Sequence, residues 1–145
     1  MDHLIVNGAY LSQDSEFITP SEYVGKEALF LSELQTSMAT NVAGMLYSIN
    51  AFLPLIKKSK IKKVIVISSG LADTELFEVA GMTSAVPYTI SKSAANLLIV
   101  KYAVEFKDDG IKFLALSPGF VMTEFNDISK SVFNSFLTPS ILFLS

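Results

Sequence analysis

Tyr88 and Lys92 stand four residues apart at the head of an apolar helical pattern, a spacing that puts both side chains on one helix face with their Cβ atoms about 5–6 Å apart. A free phenol titrates near ~10, too high to exchange protons at neutral pH, and an ammonium beside it lowers that value by stabilising the phenolate. A phenol poised in this way can protonate an alkoxide or take the proton of a hydroxyl. Ser69, at the end of an apolar run, offers a hydroxyl that can donate a hydrogen bond to the same substrate oxygen. The spacing of Tyr88 and Lys92 also has a plainer use, in which a surface tyrosine rests on a lysine stem. The elements that carry these residues decide between the two.

Three short apolar runs end in small or turn-forming residues: Leu4-Ile5-Val6 before Asn7-Gly8-Ala9, Val64-Ile65-Val66-Ile67 before Ser68-Ser69-Gly70, and Phe113-Leu114-Ala115-Leu116 before Ser117-Pro118-Gly119. None alternates with polar residues, the pattern of a parallel sheet buried on both faces. Helical patterns from about Asn41 to Lys58 and from about Tyr88 to Phe106 separate the runs and are long enough for right-handed crossovers, which predicts β-α-β-α-β. In such sheets ligands collect outside the carboxyl ends of the strands, where all three turns fall.

The first helix carries Val42, Met45, Leu46, Ile49, Phe52 and Ile56 on one face and Tyr47, Ala51 and Leu55 on another, with Pro54 predicting a kink or a break in its last turn. The later helix is apolar around most of its girth and calls for burial on two sides, one against the sheet and one against a second copy of the chain. Upstream, Thr19-Pro20-Ser21-Glu22 fits a helix start, and a short helix with Ala28, Leu29, Leu34 and Met38 inward follows it. Residues 128–145 mix apolar residues with Ser, Asn and Pro and receive no chemistry.

A chain of 145 residues, 50% hydrophobic and 17% charged, has the material for a single core domain over residues 1–145. It contains no cysteine, which excludes disulfides and thiolate metal sites, and no other metal site is predicted. All 11 basic residues are lysines, so the planar fork that reads phosphates and guanine edges is missing, and nucleic acid is not expected as a partner. The cluster Lys57-Lys58-Ser59-Lys60-Ile61-Lys62-Lys63 reads as a solvated turn between helix and strand. No uninterrupted apolar run approaches the ~18–20 residues of a membrane span, and no basic segment precedes a long apolar one at the N-terminus. The expected location is the cytoplasm.

Three motifs in order give the sequence a family likeness: Val66-Ile67-Ser68-Ser69-Gly70, Pro87-Tyr88-Thr89-Ile90-Ser91-Lys92-Ser93-Ala94, and Ser117-Pro118-Gly119-Phe120-Val121-Met122-Thr123. Together they resemble the short-chain dehydrogenase/reductase family. Upstream, Leu4-Ile5-Val6-Asn7-Gly8-Ala9 is similar to the family's strand followed by Asn-Ala-Gly, with its two small residues exchanged, and Thr40-Asn41-Val42-Ala43-Gly44 to the helix segment bearing a catalytic asparagine. The likeness implies a Rossmann-like, doubly wound parallel sheet in three α/β/α layers and hydride transfer between NAD or NADP and a carbonyl or alcohol. It implies Tyr88 as general acid/base, Lys92 tuning it and binding the nicotinamide ribose, Ser69 positioning the substrate oxygen, and Asn41 holding a proton-relay water. Ser68 competes with Ser69, which is preferred because it is nearer the glycine. Asn7, Pro118, Gly119 and Thr123 are implied on the nicotinamide side.

Two departures set further expectations. Ser69 and Tyr88 are 19 residues apart, longer than is usual in the family, so residues 71–86 are expected to form an enlarged loop over the substrate site. The seven glycines include no phosphate-binding spacing, and the likeness begins at the family's fourth strand. It therefore implies a partial sheet lacking its first strands, with Leu4-Ile5-Val6 as an exposed apolar edge. The expectation is a homo-oligomer joined through helices 41–58 and 88–106 that binds cofactor poorly by itself. The alternative is a catalytically inactive relative serving only as an interaction protein.

Overall fold

A computed structural model of the protein describes residues 1–75, 81–119 and 140–144. Its centre is a four-stranded sheet in the order β1 (His3–Val6), β2 (Lys63–Ile67), β3 (Lys112–Ser117), β4 (Ser140–Leu144). β1, β2 and β3 run parallel, with Leu4 opposite Val64 and Val64 opposite Phe113. The three apolar runs are therefore the parallel strands, and parallel pairing puts their carboxyl ends at one edge of the molecule. β4 lies antiparallel beside β3, Leu144 opposite Phe113. It comes from the segment 128–145, where the run Ile141-Leu142-Phe143-Leu144 follows mixed apolar, Ser, Asn and Pro residues and no helical pattern frames it as a strand.

The crossover between β1 and β2 begins earlier than the spacing predicts. α1 (Glu27–Met38) passes through a π-helical turn at Ala39–Ala43 into α2 (Gly44–Lys57), so 31 residues are continuously helical. By length and composition alone this stretch could cross a membrane. Its apolarity has another use, because Met45, Ile49 and Ile56 are buried against the sheet. Pro54 lies in the last turn of α2 and does not break it there: the helix continues to Lys57, without the backbone hydrogen bond that a proline cannot donate to the Asn50 carbonyl. The inward face of α1 differs from expectation: Glu33 and Ser37 are its buried residues, Leu29, Leu34 and Met38 are half-buried, and Ala28 is exposed. A polar face turns inward there because the Tyr10 phenol donates a hydrogen bond to the Glu33 carboxylate at 3.0 Å.

The second crossover helix, α3 (Val86–Glu105), buries Ala95, Ile99, Tyr102 and Ala103. These pack with Phe106, Ile111, Phe113 and the inward strand residues Leu4, Val6, Val64, Val66 and Ala115 into one core. Tyr102 stacks on Phe113 with ring centroids 5.5 Å apart, and its hydroxyl donates to Asn50 Oδ1 on α2 at 2.7 Å. The strands bury alternate residues, and α2 and α3 share the covered face. Among the described residues no helix covers the other face, where Ile65, Ile67, Leu114 and Leu116 are half-buried. Ile5, on β1 at the end of the strand order, points to this same face and is 61% exposed.

The lysine cluster is tied to the fold at two points. Lys57 pairs with Asp109 at 3.0 Å and lies over the Phe106 ring, and Lys62 donates to the Asp109 carbonyl at 2.9 Å. Both ties close the bottom of the sheet, away from the strand carboxyl ends.

Candidate active site

At the end of β2 the two serines part company. Pleating sends successive side chains to opposite faces, and Ser68 turns under α3, where its hydroxyl donates to Asn96 Oδ1 at 2.6 Å. Ser69 takes the other direction and caps a short 3-10 turn at Gly70–Ala72 by accepting from the Leu71 backbone N–H at 3.2 Å. Its own proton is left to reach outward, and the Ser69 hydroxyl acts on the Tyr88 phenol in the direction that lowers its pKa. Sequence reasoning had no access to the partner of Ser68, since Asn96 lies 28 residues downstream and meets it only across the helix–sheet contact.

Tyr88 is launched by a strained turn. Ala85 is buried and has φ +55°, the left-handed region that costs a non-glycine residue about 1–2 kcal/mol. Two hydrogen bonds hold it there: its N–H donates to the Glu16 carbonyl and its carbonyl accepts from the Thr89 N–H, both at 2.9 Å. Pro87 then occupies the first turn of α3, where a missing N–H does no harm. The described part of the segment between Ser69 and Tyr88 includes the 3-10 turn and this launch, and residues 76–80 of the expected loop lie outside the described residues.

Lys92 is only 4% exposed, and its ammonium donates to the Ile67 carbonyl at 3.0 Å while standing 5.7 Å from the centroid of the Tyr88 ring. The surface reading of the pair, a tyrosine resting on an exposed lysine stem, does not describe it. Burial pushes the Lys92 amine below its ordinary value. Burial also pushes the Tyr88 phenol up, and the Ser69 hydrogen bond offsets only part of that rise. The expected lowering of the phenol by the ammonium is not what the structure shows: desolvation of the phenol comes first and the net shift is upward.

Asn41 sits inside the π-helical turn and is 3% exposed. Its Oδ1 accepts from the Tyr10 backbone N–H at 2.7 Å, and its Nδ2 donates to the Tyr10 carbonyl at 3.0 Å and to Ser91 Oγ at 2.8 Å. The side chain is therefore a strut between the loop after β1 and the start of α3. Asn7 is exposed just beyond β1, and Pro118 and Gly119 follow β3, Gly119 with φ +79°. All three share the carboxyl edge of the sheet with Ser69. Thr123 lies outside the described residues.

The serines give a direct comparison. Ser69→Ala is expected to lower turnover about 100-fold or more, the usual consequence of removing one donor at a reacting oxygen. Ser68→Ala is expected to leave turnover within about threefold and to reduce stability by about 1 kcal/mol, the worth of one internal hydrogen bond. Steady-state rates and thermal melts of the two variants check this, and the reverse ranking would exchange their roles.

Parallel strands β1–β3 with Ser69, Tyr88 and Lys92 near their carboxyl ends place these groups where α/β proteins bind ligands. The family model described as short chain dehydrogenase matches residues 2–131, and the chain belongs to that family. It is 42% identical over 124 residues to the short-chain dehydrogenase/reductase atnB of Arthrinium sp, covering 86% of this chain and 47% of that protein. It is 48% identical over 122 residues to the short-chain dehydrogenase/reductase AacuF of Aspergillus aculeatus, covering 83% and 45%. Among solved structures, the putative carbonyl reductase Sniffer of Caenorhabditis elegans superposes with a TM-score of 0.56 at 22% identity, over 78% of this chain and 49% of that one. The chain spans just under half the length of these relatives.

Proposed function

We propose that the chain carries the proton-transfer half of an NAD(P)-linked oxidoreductase acting on a carbonyl or alcohol. The observation that carries the reading is the convergence of Ser69, Tyr88 and Lys92 at the carboxyl edge of parallel strands, with Tyr88 and Lys92 held on one face of α3. A nicotinamide cofactor supplies or accepts the hydride. The residues present fit its nicotinamide and ribose end: Lys92 uses one of its three N–H donors on Ile67, and Asn7, Pro118 and Gly119 line the adjoining strand ends. Among the described residues, no glycine-rich turn joins a strand directly to a helix, the element that would cradle the pyrophosphate.

In the reducing direction the Tyr88 hydroxyl gives its proton to the carbonyl oxygen as that oxygen gains charge. The Ser69 hydroxyl donates a hydrogen bond to the same oxygen. In the oxidising direction Tyr88 takes the hydroxyl proton, and the neighbouring ammonium stabilises the phenolate that results. The test is a panel of carbonyls and alcohols with each nicotinamide cofactor, followed by cofactor absorbance. Consumption of cofactor matched to product supports the reading, and a flat trace with every pair at saturating cofactor sinks it.

The exposed side of the helices supports a second copy as partner. Tyr47 on α2 is 68% exposed, and Leu97 and Val104 on α3 are 60% and 71% exposed. Large apolar side chains on two neighbouring helices suit a self-complementary interface. Sedimentation is expected to show a dimer that Leu97→Lys together with Val104→Lys converts to monomer, and a parent that sediments as a monomer refutes it.

A further inference from the structure

We propose that Ser91 is a positioning residue that couples Asn41 to Tyr88 and holds the first turn of α3 in the register at which Tyr88 and Lys92 converge. The proposal rests on the reading of Tyr88 as the proton-transfer group. Ser91 is fully buried, and its hydroxyl makes two hydrogen bonds of opposite sense. It donates to the Tyr88 carbonyl at 2.6 Å and accepts from Asn41 Nδ2 at 2.8 Å. A serine in a helix commonly bonds the carbonyl one turn back. The bond from Asn41, which lies 50 residues away, makes this one different.

The direction of the relay follows from valence. Tyr10 presents an N–H to Asn41 Oδ1 and a carbonyl to Nδ2, which allows one orientation of the carboxamide only. Both Nδ2 protons are then spent, one on Tyr10 and one on Ser91. The single Ser91 proton goes to Tyr88, so the hydroxyl must receive from Asn41 and give to Tyr88. Tyr10 is itself pinned at its other end by Glu33. A chain of contacts thus runs from Glu33 through Tyr10, Asn41 and Ser91 to the backbone of Tyr88. The π-helical turn supplies the local change of pitch in which Asn41 sits, and such turns recur at functional sites.

Removing the Ser91 hydroxyl leaves a buried Asn41 N–H without a partner and takes from the Tyr88 carbonyl its link to Asn41, leaving it only the helical backbone bond, so the phenol loses its registration while the substrate contacts remain. Ser91→Ala is expected to lower kcat about tenfold with KM within about twofold, the split of a lost transition-state alignment. Ser91→Cys keeps the volume with weaker hydrogen bonding and is expected to fall between Ala and the parent. Combined with Asn41→Ala, the Ser91→Ala change is expected to add little, because both break one link. By nuclear magnetic resonance, the Asn41 carboxamide protons are expected to exchange about tenfold faster in both Ser91 variants, with the Tyr88 ring resonances displaced. Parent-like turnover in both variants while Tyr88→Phe is inactive would overturn the proposal. If Tyr88→Phe keeps parent turnover, or no pair turns over, the oxidoreductase reading fails, and carboxamide exchange then decides alone: faster exchange with displaced Tyr88 resonances upholds the coupling, and unchanged spectra refute it.

Discussion

Tyr88→Phe is expected to lower turnover about 100- to 10,000-fold, the range for removal of a positioned general acid/base, which corresponds to about 3–5 kcal/mol of transition-state stabilisation. The ring stays, so its place beside Lys92 is kept, and only the hydroxyl is lost. The melting temperature is expected to move by less than about 2 °C, because one partly satisfied hydroxyl at the site contributes little to folding. A large rate loss with an unchanged melt separates chemistry from stability. Parent-like rates in Tyr88→Phe would remove the phenol from the mechanism. The same phenol bears on alkaline stability. Its folded value is raised above the ordinary 10.0, so its contribution is fully present below that value and is lost as pH rises through the folded one.

Lys92→Met is the second large effect, and here activity and stability are expected to move in opposite directions. The ammonium is buried with the Ile67 carbonyl as its hydrogen-bond acceptor, a costly arrangement that an apolar side chain of similar length relieves. We expect turnover to fall at least about 100-fold while stability rises by about 1 kcal/mol, read as a melting temperature higher by about 3 °C. The sign of the pH dependence is set by the lowered folded value of Lys92. Stability from this group is present above the ordinary 10.5 and is lost as pH falls through the folded value. The advantage of Lys92→Met therefore shrinks toward alkaline pH and grows as pH falls. Melts across the alkaline range measure it, and a variant less stable than the parent at neutral pH would show that Lys92 supports the fold.

Much of the site was legible because it rests on local rules. The four-residue spacing of Tyr88 and Lys92 is a helix property, the turns after β1, β2 and β3 are marked by small residues, and their apolar runs alternate with long helical patterns, the order of a parallel sheet. Asn41 could be singled out through the family likeness, yet its clamp on Tyr10 and Ser91 could not be read, because it joins residues 31 and 50 positions away. The burial of Glu33 inverted the expected inward face of α1 for the same reason: a phenol from a distant loop satisfies the carboxylate. β4 was not legible because its four-residue apolar run follows a mixed segment with no helical pattern or turn signal to frame it as a strand.

What the sequence determined by itself is therefore the set of elements and the identity of the chemical groups, both properties of neighbours along the chain. The tertiary structure alone decided which way those groups face. Parallel pairing of β1, β2 and β3 brings three separate turns to one edge, and packing of α3 on the sheet takes Ser68 inward to Asn96 and leaves Ser69 for Tyr88. The same packing desolvates both members of the pair, raising the Tyr88 phenol and lowering the Lys92 amine, where the spacing alone predicts a lowered phenol. Burial depends on residues far apart in the chain, so no spacing rule contains it.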